Sequence, residues 1–304
     1  MNRHVKIKRK KATAILVKKD AGEPALLVVG ASAIAICAGT IITGRKFAKN
    51  TPVKLPEGGL EIGCDYGVVV AAVGAPTAEK LTGIPIAPQF IGGFHFAPGG
   101  NATSRAGGDA KPAINPRSVW DLNFRPACPD PRGMVLVEGP RGPFWCDIYL
   151  LGVNHVADGT TSRHGATIAD GNDPPAKPDG GHFGKLDYET AVAVMKHHQK
   201  QLLALDEFFA AAYGVAEKTA HDGDPRTTGL DAPRTSKFGL MQATGNMWVW
   251  GHDGDPDTPR ASIFGGSWIG GGGAGSRYAD VGGWPGDSYG SLGARGRSDH
   301  LQLD

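Results

Sequence analysis

The sequence carries no cysteine after Cys146, and its four cysteines (Cys37, Cys64, Cys128, Cys146) include no C-x-x-C pair. A zinc ribbon and a thioredoxin-type redox centre are therefore excluded. A Cys128–Cys146 bridge is compatible with the spacing, and cysteine usage leaves the redox compartment open. There is no H-E-x-x-H and no P-loop, which removes the usual signatures of zinc proteases and nucleotide triphosphatases. One G-x-G-x-x-G match, at Gly270, Gly272 and Gly275, has no strand leading in and no helix following, so it does not read as a dinucleotide site. Ser298, Asp299 and His300 are sequence neighbours that diverge in a strand and cannot form a triad by themselves; His300 reads as a packed, hydrogen-bonded histidine.

Charge of one sign is also scarce. The net charge of +2 offers no general surface for nucleic acid or membrane. The exception is residues 1–20, a basic N-terminal arm containing Arg3, Lys6, Lys8, Arg9, Lys10, Lys11, Lys18 and Lys19, read as a solvated terminus. Aromatics are only 8% of the chain, against 46 glycines and 22 prolines, a balance that favours turn-rich β structure over helical bundles.

The sharpest absence is local. Between Phe264 and Ala294 there is no Lys, Glu, Gln or Met, while glycine is dense and Trp268, Tyr278, Trp284 and Tyr289 are interspersed. Such a segment has a large ordering entropy and few core-forming side chains. It needs a scaffold, and a scaffolded segment poor in core formers is a candidate functional surface.

The rest of the chain supplies scaffold. Thr13–Val17, Ala25–Val29, Ala33–Cys37, Thr40–Thr43 and Gly67–Val73 are strand candidates separated by turns, together a small β-sandwich spanning 21–95. Ala25 to Gly44 is uncharged and long enough for a membrane span, but its partly alternating pattern fits two short buried strands as well. Pro85 to Asn115 reads as loop, with a connecting segment at 96–130 and a lone glycosylation sequon at Asn101. Met134–Val137 and Trp145–Leu151 read as strands joined at Gly139-Pro140-Arg141-Gly142. Thr160–Gly184 is a long polar excursion. Asp187 caps a helix to about His198, and a second helix, Asp206–Tyr213, stops at Gly214. His197 and His198 face different directions on that helix, one exposed and one packed, which disfavours paired metal ligation. Val215–Arg234 reads as a loop, and Gly239–Gly251 as a core strand pair around a turn. Asp253, Asp255 and Asp257 have a D-x-D-x-D spacing, but Thr258 and Phe264 stand where a calcium loop needs Gly and Glu. They read as an acidic turn, with structural calcium or magnesium as the only ion to consider.

Several blocks then line up with a known family. GMVLVEGPRGPFWCDIYL, QLLALDEFFAAAYG, GLMQATGNMWVWG and FGGSW resemble the formylglycine-generating-enzyme branch of the C-type lectin fold over 131–304. More specifically, IGGFHFAPG, SVWDLNFRPACPDPRGMVLV, FWCDIYLLGVNHVADGT, TIADG and GARGRSDHL resemble the phage major tropism determinants, retroelement-diversified receptor-binding proteins of tail fibres. The implied fold class is α+β: a C-terminal C-type lectin fold preceded by a small β-sandwich and the basic arm, which stands where that family has a small β-prism. The resemblance implies no enzyme, because the copper-binding C-terminal cysteines of formylglycine-generating enzymes are missing and Asn246–Trp250 reads NMWVW without the acidic residue of their N-x-x-E-W block.

Carried over by position, the resemblance places a variable region at 264–301. Its receptor-binding positions would be Ser267, Ile269, Gly270, Gly271, Gly273, Asp280, Gly282, Gly283, Asp287, Tyr289, Ser291 and Leu292, with Tyr289, Ile269 and Leu292 giving most apolar contact. Trp268, Arg277, Pro285, Gly293, Arg295 and Asp299 would be buried or hydrogen-bonded framework. The implied partners are two further copies in a homotrimer, other phage tail proteins and a bacterial cell-surface receptor, met at the tail-fibre tip of the virion. A cellular diversified adhesion or ligand-binding protein, and an oxidase on the same fold, are the competing readings.

Overall fold

The computed structural model describes residues 16–82, 86, 88–99, 110–255 and 257–302. The arm up to residue 15 and the glycine-rich stretch at 100–109 with its sequon lie outside the described residues. Lys18 belongs to the arm by sequence but is not solvated: its ammonium lies 3.1 Å from the buried Asp121 carboxylate. Asp121 also accepts the Ala25 amide at 2.7 Å and the Asn123 and Phe124 amides.

The first half is a β-sandwich. Leu26–Gly30 pairs with Ala33–Ile36, which pairs with Thr51–Pro52. Opposite lies a sheet ordered Ala113–Ile114, Phe90–Ala97, Cys64–Val69, Thr77–Lys80, with Trp120–Asp121 also on Phe90–Ala97. Leu26, Ile34, Ile36, Val68, Phe94 and Ile114 share its core. The uncharged run behind the arm is thus spent on short strands. Among the described residues no helix is long and apolar enough to cross a membrane.

Phe90–Ala97 corrects the expectation of a loop from Pro85 to Asn115. All eight residues are buried, and the strand is central to its sheet. Its two glycines permit this. A Cβ on Gly92 would stand 2.4 Å from the Trp120 carbonyl, and one on Gly93 would stand 2.4 Å from the Tyr66 carbonyl. Glycine here allows close approach of neighbouring backbone rather than a turn.

The second half is a mixed sheet ordered Met134–Gly139, Gly142–Asp147, Gly296–Gln302, Gln201–Ala204, Trp248–His252, Ala261–Phe264, Ala279–Asp280. The hairpin at Pro140-Arg141 is tight, with Gly142 at φ 112°. The helix Tyr188–His197 is capped by the Asp187 side chain, which accepts the Thr190 amide at 2.9 Å. His197 is exposed and His198 half-buried, with its Nε2 2.8 Å from Nδ1 of the buried His155. The helix Leu205–Ala211 covers the hairpin. Gly239–Gly251 is only half strand. Trp248–His252 pairs, whereas Leu240–Asn246 is buried irregular backbone with Gln242 at φ 51°. Cys128 and Cys146 are buried and both free.

A buried ion pair centres this half. Lys200 Nζ lies 2.6 Å from Asp147 Oδ1 and 2.8 Å from Thr161 Oγ1. Asp147 Oδ2 accepts the Thr161 hydroxyl at 2.5 Å and the Gly296 amide at 3.0 Å. Burial opposes charge on Lys200, but Asp147 together with Cys128 and Asp130 outweighs it, and the ammonium is held above its ordinary range. The two halves meet through polar side chains. Asp65 accepts the Gly133 amide at 3.0 Å, and His95, 3.0 Å from Asp65, meets the Tyr149 hydroxyl at 2.9 Å.

Candidate binding surface

After the strand Ala261–Phe264 the chain turns through Gly265 at φ 90° and Gly266 at φ 74°. A Cβ on Gly266 would stand 2.5 Å from the Gly273 carbonyl, so the loop 267–273 closes on itself. Ser267 is buried and bridges Asn246; Trp268–Gly270 forms a single 3-10 turn. At its tip Ile269 is 67% exposed, with Gly270 and Gly271 exposed beside it and Gly273 half-buried. Glu217 pins the return, accepting the Ser276 amide at 3.0 Å and its hydroxyl at 2.5 Å.

Ala279–Asp280 then adds an edge strand to Ile263 and Phe264. Trp284-Pro285-Gly286-Asp287 is a turn closed by the Asp287 amide on the Trp284 carbonyl at 3.0 Å. Three further bonds tie this stretch to the scaffold. The Tyr188 amide donates to Pro285 O at 3.1 Å, the Leu186 amide to Ser288 Oγ at 2.9 Å, and the Gly171 amide to Tyr289 O at 3.2 Å. Leu292–Ala294 finally enters the sheet parallel to Trp248–Trp250.

Asp280, Gly282, Asp287 and Tyr289 are exposed, and Gly283 is half-buried. The phenol of Tyr289 is pushed up by partial burial and then by Asp287 and Asp280. Three positions expected at the surface are instead inside. Ser267 and Ser291 are buried, and Leu292 is 0% exposed because its strand lies in the sheet beside Trp248. The expectation that Leu292 supplies apolar contact is therefore corrected.

The framework positions also divide. Arg295 is buried and spends its guanidinium on four carbonyls: Asp147, Ile148, Met241 and Gln242, at 2.6 to 3.3 Å. Burial lowers its pKa, and the ring of carbonyl dipoles replaces solvent. Gly293 is buried, and Trp268 is half-buried against Leu150, Ile168, Met247 and Val249. Pro285 is exposed but bonded through its carbonyl, and Asp299 is exposed and paired with Arg297. Arg277 is exposed, with no hydrogen bond or ion pair among the described residues, contrary to a framework role. Trp284 was not singled out as a contact by sequence, yet at 73% it is the most exposed tryptophan among the described residues. The only local hint was its place at the head of a Pro-Gly turn.

The acidic stretch folds onto itself. Asp253 accepts the Asp255 and Arg260 amides, and Asp255 accepts the Asp257 and Thr258 amides. These bonds hold the carboxyls of Asp253 and Asp255 below the usual range. Among the described residues no three His, Cys, Asp or Glu side chains converge as metal ligands.

With this geometry in hand, residues 24–121 match the family described as Mtd second domain. The chain is 38% identical to the tail fiber receptor-binding protein of Bordetella phage BPP-1, over 95% of this chain and 85% of that one. It superposes on the Major Tropism Determinant P3c variant with a TM-score of 0.85 at 37% identity, and on the U1 variant with 0.84 at 36%. Both alignments cover 95% of this chain and 86% of the other. The lectin-type scaffold, the buried Arg295 clamp and the exposed glycine-rich segment thus belong together: this chain is a member of the phage major tropism determinant family.

Proposed function

We propose that this chain is a phage tail-fibre receptor-binding protein that recognises a bacterial cell-surface receptor through the segment 264–292. The observation that carries the reading is a contrast within one segment. Ile269, Gly270, Gly271, Asp280, Gly282, Asp287 and Tyr289 are exposed, while Arg295, Gly293 and the flanking strands are fixed in the core. Rigid scaffold with exchangeable side chains lowers the ordering cost of binding, as in antibody paratopes.

All twelve positions carry residues that adenine mutation of Asn-type codons produces. In this reading nine of them meet solvent wholly or in part, and Ser267, Ser291 and Leu292 tune the support from beneath. Glycine at five of the twelve gives backbone contact only, so a single head binds weakly. A homotrimer, repeated at the tail-fibre tip and held by other tail proteins, multiplies weak contacts through effective concentration. The receptor is a protein, and neither nucleic acid nor membrane insertion is involved.

The test is adsorption of virions to permissive cells. Tyr289→Ala is expected to lower adsorption by at least ~tenfold while leaving the melt of the purified chain within ~2 °C of the parent. Unchanged adsorption would remove Tyr289 from the surface.

A further inference from the structure

The exposed aromatics of the segment 264–292 are Trp284, which opens a turn, and Tyr289, which follows it. Trp284 and Asp287 are the ends of one turn, joined by the 3.0 Å bond from the Asp287 amide to the Trp284 carbonyl. The Asp280 carbonyl lies 4.0 Å from where a Cβ on Gly283, the residue before the turn, would stand. Tyr289 follows two residues after Asp287, and the charges acting on its phenol are Asp287 and Asp280. Asp280 spends one oxygen on the Gly282 amide at 2.9 Å, and neither aspartate has an ion-pair partner among the described residues. The Trp284 indole is 73% exposed and makes no hydrogen bond among the described residues, with its N–H edge turned towards Gly286.

We infer that Trp284, Tyr289, Asp280 and Asp287 form a recognition patch for a cationic side chain, lysine or arginine, projecting from a protein receptor. Two physical arguments select this occupant. An exposed indole face attracts a cation more strongly than any other side-chain ring, and two unpaired carboxylates beside it complement the same charge. An acidic or purely apolar partner would leave both carboxylates facing desolvation without compensation. The inference rests on the receptor-binding reading and deepens it. Trp cannot arise from the diversified codons, so Trp284 is a constant anchor among exchangeable neighbours.

The experiment uses the full chain with its tryptophans replaced by fluorotryptophan and observed by fluorine NMR. The Trp284 resonance is identified by its loss in Trp284→Phe. The probes are N-acetyl-arginine amide and the uncharged N-acetyl-citrulline amide. The arginine probe is expected to move the Trp284 resonance and the citrulline probe to leave it in place. The displacement is expected to fall by about threefold or more in the Asp280→Asn, Asp287→Asn double variant and in high salt. Equal displacement by both probes, no displacement by either, or a full response in the double variant would overturn the cationic patch. Receptor binding itself is read separately by virion adsorption. Adsorption that depends on Tyr289 without an arginine response sinks this inference alone.

Discussion

Gly171 and Tyr289 meet backbone to backbone. The Gly171 amide donates to the Tyr289 carbonyl at 3.2 Å, and a Cβ on Gly171 would stand 2.3 Å from the Tyr289 nitrogen. The polar excursion at 160–184 is therefore the floor under the end of the segment 264–292. Gly171→Ala forces that backbone apart, because the obstacle is main chain and not a flexible tip. Adsorption of virions carrying Gly171→Ala is expected to drop at least ~tenfold, with the melt of the purified chain lowered by only a few degrees, ~2–5 °C. Parental adsorption would show that the position of Tyr289 does not depend on this contact.

Leu292 and Tyr289 stand on opposite sides of the surface. Leu292 is fully buried beside Trp250, Ala294 and Leu151 in one core cluster, whereas Tyr289 is 37% exposed. Leu292→Ala is expected to cost ~2–5 kcal/mol in denaturant unfolding, the range for a truncated core leucine. A loss below ~1 kcal/mol would contradict the burial of that strand.

The pair of His155 and His198 sets an acid limit. His155 Nε2 donates to the Ala176 carbonyl at 2.8 Å, so its Nδ1 accepts from His198 Nε2. Burial, then Lys200, His155 and His197, lower the His198 pKa from 6.5 to about 3. A histidine with a depressed folded pKa contributes stability that is present above 6.5 and lost as the pH falls towards 3. His198→Gln keeps a donor for His155 without a titrating ring. The melting-temperature gap between parent and His198→Gln should therefore shrink steadily from pH 7 to pH 4. A constant gap would mean that His198 is already protonated, or not protected, in the folded chain.

Much of this architecture was readable locally. Ile34 and Ile36 sit in an apolar run cut by turns, Asp187 is a capping residue before a helical period, and Gly142 closes a hairpin. What escaped was set by tertiary contact. Phe90–Ala97 read as loop because Gly92 and Gly93 look like breakers until Trp120 and Tyr66 are packed against them. Gln201–Ala204 gains its strand state from parallel pairing with Gly251 and His252, some fifty residues away, and no local pattern carries that. Leu292 was placed at the surface by its position in a list of exchangeable sites, and only the register with Trp248 shows it inside. Trp284 is the converse: a large apolar residue that sequence logic would bury, left outside by a turn.

The central claim is that the segment 264–292 is an exchangeable recognition surface on a fixed frame. Deep sequencing of the 3′ end of this gene in a propagated phage population tests it directly. The account predicts substitutions confined to the codons of the twelve positions, from Ser267 to Leu292, with Trp268, Trp284 and Gly293 to Arg295 unchanged. A population uniform at those codons, or one with substitutions spread evenly through Trp284 and Arg295, would contradict it.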